Sequence, residues 1–180
     1  MNDAAERVLL VDAQDRVLGT RGKLQAHREG ALHRAFSLLL FDDQQRLLLQ
    51  RRALSKYHCA GLWSNTCCSH PRPGEATDAA VARRLDEELG MRAEAHFAYS
   101  FQYRAALAGG LVEHELDHVY LGRAQGTTRP DPAEVMDLRY ESLPTLRQAI
   151  EQRPQDYTPW LALILQDPRL EESLTKAGIV

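Results

Sequence analysis

The chain has 180 residues, 44% of them hydrophobic and 26% charged, enough to bury a core without disulfides and outside the range of disordered or fibrous compositions. A net charge of -3 with scattered basic residues leaves no electrostatic footprint for nucleic acid or an anionic membrane, so affinity for phosphate has to come from a local site. The apolar runs, such as Phe36 to Phe41, are too short to span a bilayer, no early segment has the form of a secretory signal, and Cys59, Cys67 and Cys68 make a poor disulfide framework, so one cytoplasmic domain over residues 1–180 is expected.

In chain order, Arg7 to Asp12 and Arg16 to Thr20 predict a hairpin, because aliphatic runs flank a polar turn. His33 to Phe41 and Arg46 to Arg52 predict a second strand pair around Asp42-Asp43-Gln44-Gln45. Ala53 to Pro73 is long and unpatterned, which in a compact domain points to function. Ala76 to Leu89 carries Val81, Leu85 and Leu89 at helical spacing, with Gly90 placed to end the helix. Strands are expected at Phe97 to Arg104, Leu111 to Gly122 and Glu134 to Tyr140, and helices at Pro144 to Glu151 and Thr158 to Leu165. The segment after Asp167 carries no readable signal, and no repeat or linker is evident.

Two clusters carry chemistry. On the central helix Arg84 and Glu88 stand four apart on one stripe, so a cation and a hard oxygen ligand can face the same pocket. In Glu113-His114-Glu115 both carboxylates share one strand face, where they repel unless a cation or proton lies between them. His27, His33 and His70 belong to the same cluster, although an isolated histidine is more often a surface or hydrogen-bonded residue than a ligand.

Glu75, Arg83, Leu85, Glu87, Glu88, Gly90 and Met91 stand at the spacings of the Nudix box, and the chain resembles that superfamily. The resemblance implies an α/β (α+β) fold, an α/β/α sandwich with a mixed sheet between helices. Arg84 replaces the first helical glutamate of the hydrolase pattern and Ser69 its leading glycine. A hydrolase that activates water on several Mg²⁺ ions needs the missing carboxylate, which counts against hydrolysis.

The ordered set Lys23-x-x-x-His27, Leu32-His33, Arg51-Arg52-Ala53-Leu54-Ser55-Lys56, Trp63-x-Asn65-x-x-Cys68-x-His70-Pro71, the altered box and Glu113-x-Glu115 resembles type I isopentenyl diphosphate isomerases, from the first strand to Trp160. The resemblance implies that His27, His33, His70, Glu113 and Glu115 bind one divalent ion. Three imidazoles with two carboxylates suit Mn²⁺ or Zn²⁺. It also implies that Mg²⁺ bridges the substrate diphosphate to Glu88 and the Cys68 carbonyl, and that Lys23, Arg51, Lys56 and Arg84 hold the remaining phosphate charge.

Moving the double bond requires adding a proton at C4 and removing one from C2, through a tertiary cation at C3. The resemblance implies the Cys68 thiol on one side of the isoprenoid and the Glu115 carboxyl on the other, with Tyr103 hydrogen-bonded beside Glu115. Trp160 offers a ring face to the cation and Trp63 a pocket wall. Only Cys68 gives the Asn-x-x-Cys-x-His register, which leaves Cys67 to packing. The expected partner is a small isoprenoid diphosphate, with no nucleic acid or membrane, for a monomer or weak homodimer. The rivals are a Nudix diphosphohydrolase and a noncatalytic metal-binding module.

Overall fold

The computed structural model describes residues 6–180. Its centre is β3 (His33–Phe41), of which all but Arg34 is buried, as a near-continuous apolar run demands when a strand is covered on both faces. β3 pairs in parallel along its full length with β8 (Val112–Arg123), from His33 opposite Glu115 to Phe41 opposite Arg123. β8 pairs antiparallel with β7 (Ala95–Ala106), bringing Tyr103 opposite Glu115. Along its other edge β3 meets β1 (Arg7–Val11) at His33, β6 (Cys67–Ser69) from Phe36 to Leu38, and β4 (Arg46–Arg52) at Phe41 alone.

The first hairpin forms as expected, β1 with β2 (Val17–Gly22). The second is a hairpin only at its turn: Asp42 accepts the backbone N–H groups of Gln44 and Arg46, after which β4 leaves β3 to pair with β9 (Val135–Ser142) and with β5 (Trp63–Ser64). Local pattern identifies both strands but not their partners, because the long pairing of β4 is with β9, more than 80 residues away.

Helices cover both faces. α2 (Thr77–Leu89) ends at Gly90, held at φ 59, and buries Val81, Leu85 and Leu89 against Phe36, Leu38, Leu40 and Cys67. On the opposite face α3 (Leu143–Gln152), α4 (Pro159–Gln166) and α5 (Arg169–Lys176) pack on Leu39, Phe41, Val119 and Leu121. Alternation along β3 and β8 therefore divides two cores, the odd-numbered residues facing α4 and the even-numbered ones facing α2.

Two helices were not expected. α1 (Lys23–Glu29) is only seven residues long and holds its place by burying Ala26 and His27 completely, so tertiary packing rather than propensity forms it. α5 hides Leu170 and Leu174, four apart, in the same way. Short β5 and β6 also lie inside the stretch read as irregular, since two or three residues show no period.

Candidate active site and metal centre

The site opens where the N-terminal half of β3, the start of β8, β6 and the N-terminal turn of α4 meet. His33, Ala35, Ser37, Glu113, Glu115 and Asp117 all lie on odd positions and so face the same side. One pocket, with about 430 Å³ of open space, is lined by Lys23, Arg52, Lys56, His58, Cys68, His70, Arg84, Tyr103, Glu113, Glu115 and Trp160, with Ala35 to Ser37 and Ser69 as backing. Cys68 and Glu115, 47 residues apart, thus share a cavity.

α1 delivers His27, whose Nδ1 lies 2.7 Å from the Lys23 carbonyl; His33 Nδ1 lies 2.8 Å from the Ala31 carbonyl. A carbonyl takes only a donated proton, so both rings carry it on Nδ1 and turn the Nε2 lone pair inward, as metal-binding imidazoles do. His27 Nε2 stands 3.0 Å from Glu113 Oε2, while Glu115 Oε1 lies 3.0 Å from His70 Nε2 and 3.5 Å from His33 Nε2. Tyr103 donates its hydroxyl to Glu115 Oε2 at 2.6 Å.

Donor atoms of His27, His33, His70 and Glu115 lie within 4.8 Å of one another, and those of His27, His58 and Glu113 form a second such group. His33 Nε2 and Glu113 Oε2 are buried without a hydrogen-bond partner, which costs free energy unless a ligand satisfies them. Glu113 and Glu115, 2% and 7% exposed, lie two apart on one face. Burial and the neighbouring Glu115 push Glu113 above the usual carboxylate range; burial opposes, but the His33 and His70 contacts hold Glu115 well below it. Burial lowers His70 to about 3, which favours a neutral ring. The donor set suits a divalent ion.

β6 sets the two cysteines on opposite faces. Cys67 is fully buried in the α2 core, and burial raises its thiol well above the ordinary value. Cys68 faces the pocket opposite Ser37. Burial pushes its thiol up to about 12, with Arg52 acting against that rise; the guanidinium Nη1 and Ser64 Oγ each lie 3.9 Å from Sγ. Trp160 is 3% exposed and anchored by its indole N–H to Ser64 Oγ at 3.0 Å and Asn65 Oδ1 at 3.1 Å. Asn65 in turn donates to the carbonyls of Leu38 and Cys67, tying the Cys68 strand to the tryptophan.

Two expected substrate residues lie elsewhere. Arg51 donates to the Gly61 carbonyl at 2.9 Å and stacks near Trp63, and the pocket is lined instead by Arg52. The register between β4 and β9 slips between these two residues, and such a bulge re-aims the side chains beside it. Trp63 is likewise outside the pocket, packed 4.2 Å beneath Arg139. The remaining cations are in place but paired: Lys23 with Glu6 at 2.9 Å, Lys56 with Glu134 at 2.6 Å, and Arg84 with Glu88, with Glu87 at 2.9 Å and with Glu134 at 3.3 Å. Arg52 has no carboxylate within ion-pair distance among the described residues. It lies 5.5 Å from the Trp160 ring centre. Glu88 sits behind the pocket wall, where its oxygens accept from Arg84 and, at 2.9 Å, from Gln50.

The sequence reading missed Arg52, His58, Glu134 and Asp117. Arg52 stood inside a quoted motif with nothing to separate it from its neighbour, and His58 was hidden in the unpatterned loop. Asp117 continues the Glu113-x-Glu115 alternation and accepts the Ser37 hydroxyl at 2.8 Å, so strand period alone could have placed it.

A NUDIX domain family model matches residues 31–161. The chain is 51% identical over 156 residues to isopentenyl-diphosphate Delta-isomerase 1 of Aromatoleum aromaticum, covering 87% of this chain and 88% of the relative. It is 47% identical to an isopentenyl-diphosphate Delta-isomerase of Serratia proteamaculans, with 90% of each covered. Among solved structures, DR0079 from Deinococcus radiodurans aligns over 89% of this chain and 98% of its own at a TM-score of 0.75 and 20% identity. A MutT NUDIX hydrolase from Burkholderia pseudomallei aligns over 76% and 98% at a TM-score of 0.60 and 26% identity.

Proposed function

The chain belongs to the NUDIX family and, within it, to the isopentenyl-diphosphate Delta-isomerases; from that premise we propose how its residues interconvert isopentenyl and dimethylallyl diphosphate. The observation that carries the reading is the single pocket onto which both Cys68 and Glu115 open. The reaction adds a proton at C4 and removes one from C2, so it needs two proton-exchanging groups flanking the five-carbon head, and the reverse reaction exchanges their roles.

Each flank has its own means of carrying charge. When the Cys68 sulfur is without its proton, the Arg52 guanidinium 3.9 Å away offsets the thiolate. When Glu115 is ionised, the Tyr103 hydroxyl and the His70 Nε2–H hold it. The Trp160 ring, fixed through its indole N–H, faces the developing C3 cation, a contact of about 2 kcal/mol when desolvated.

His27, His33, His70, Glu113 and Glu115 would hold a divalent ion, Mn²⁺ or Zn²⁺ by donor type, whose charge would offset that of the two neighbouring carboxylates. Lys23, Arg52, Lys56 and Arg84 grip the diphosphate. Arg52 serves without giving up a carboxylate partner, and its forked donors match a phosphate. Glu88 and the Cys68 carbonyl would be this chain's donors to a Mg²⁺ brought in with the diphosphate.

Hydrolysis is disfavoured because Arg84 stands where a hydrolase carries a further metal-binding carboxylate, which removes charge needed to hold several Mg²⁺ ions. Among the described residues no helix is long and apolar enough to cross a membrane. We place the enzyme in the cytoplasm, as one catalytic domain acting as a monomer or weak homodimer without nucleic acid. The test is incubation with isopentenyl diphosphate, Mg²⁺ and Mn²⁺ in D₂O, followed by NMR. Dimethylallyl diphosphate carrying deuterium is expected, and phosphate release without isomerisation would reject the reading.

A further inference from the structure

A fourth imidazole approaches the metal centre. His58 lies in the loop after β4 with its side chain 7% exposed. Its Nε2 stands 3.3 Å from Glu113 Oε1, whereas His27 Nε2 reaches the other oxygen, Oε2, at 3.0 Å. The His27 and His58 rings stack with centroids 5.4 Å apart and planes 25° apart. On its far side His58 meets Trp160 edge to face at 6.1 Å.

His58 is not one of the group formed by His27, His33, His70 and Glu115; it joins only Glu113 and His27. It therefore stands one step outside that group, against the back of a carboxylate whose forward oxygen, Oε2, has no hydrogen-bond partner. A carboxylate can rotate about its last bond and offer either oxygen. A donor fixed on one oxygen commits the other to the ion, and such outer contacts commonly strengthen metal binding 10- to 100-fold.

We propose that His58 is a positioning residue of the metal centre, donating its Nε2–H to Glu113 Oε1 so that Oε2 faces the ion. The same ring links that carboxylate to the Trp160 wall of the substrate pocket, so metal loading and pocket shape are coupled through one side chain. The inference rests on the reading of His27, His33, His70, Glu113 and Glu115 as a metal site.

The test measures Mn²⁺ binding to metal-free, full-length protein by electron paramagnetic resonance, for the wild type and for His58→Gln, His58→Phe and His58→Ala. A glutamine amide N–H reaches the position of the imidazole Nε2–H, whereas phenylalanine keeps the ring without a donor. Wild type and His58→Gln are expected to bind alike, with His58→Phe and His58→Ala weaker by about 10- to 100-fold. Thermal melting of the metal-free variants checks that all are folded. Binding by His58→Phe as tight as wild type would reduce the role to packing, and His58→Gln as weak as His58→Phe would remove the hydrogen bond; either overturns the inference. Electron spin echo modulation from coordinated imidazole is expected to have the same depth in wild type and His58→Gln, and a shallower modulation in the variant would make His58 a ligand and overturn the inference. Failure of the wild type to bind Mn²⁺ would overturn the metal-site reading itself, and this inference with it.

Discussion

Neighbouring residues of one type take different work here because a strand turns alternate side chains to opposite faces. Cys68→Ala should lower kcat by about 10²- to 10⁴-fold, the usual contribution of one proton-transfer group, while Cys67→Ala should change turnover less than a few-fold and lose a little stability from the α2 core. Equal turnover in both variants, followed by NMR, would contradict the assignment. The adjacent arginines give a parallel pair. Arg52→Ala removes a charged donor group from the diphosphate side of the pocket and should reduce kcat/KM by roughly 10- to 100-fold, from about 1.5–3 kcal/mol of charge-assisted hydrogen bonding. Arg51→Ala, whose parent side chain holds the Gly61 carbonyl, should stay close to wild type in steady-state kinetics; the opposite ranking would restore Arg51 to the site. The cysteine choice was legible because only one register gives Asn-x-x-Cys-x-His. The arginine choice was not, since it turns on a bulge that no local pattern reports.

At the scale of elements, α2 holds together what the altered box retains. Arg83 makes a forked pair with Glu75, Nε to Oε1 at 2.7 Å and Nη2 to Oε2 at 2.8 Å, bracing the loop before the helix. Hydrogen bonding from Arg83 lowers the Glu75 carboxyl from its ordinary value of 4.5. A group lowered in the folded state contributes stability that is present above the unfolded value and is lost as pH falls through the folded one. The urea midpoint of the wild type should therefore drop more steeply than that of Glu75→Gln as pH falls from about 5 toward 3, and the two curves should converge at the acid end. Parallel curves would show that the pair carries no linked stability. α2 was readable along its length, with a periodic apolar stripe and a terminating glycine. α1 and α5 were not: each is too short to form without the surface it covers, and that surface comes from distant parts of the chain.

For the molecule as a whole, two buried carboxylates and three inward-turned imidazoles at the centre of the sheet predict that folding and metal loading are linked. Chelation should lower Tm, and Mn²⁺ at about one hundred times its Kd should restore about 2.7 kcal/mol. An unchanged melting curve would mean that the site is satisfied without an ion. Taken alone, the sequence determined which residue types were available and where local periodicity placed them: the central helix, the apolar core strands, the paired glutamates on one strand face, and the cysteine two residues before His70. These follow from spacings of a few residues, which backbone geometry fixes locally. Only the tertiary structure decided that Cys68 and Glu115 share a pocket, that Arg52 rather than Arg51 enters it, and that His58 stands behind Glu113. Each of those depends on strand partners far apart in the chain, whose pairing is set by how the two cores pack on either face of β3.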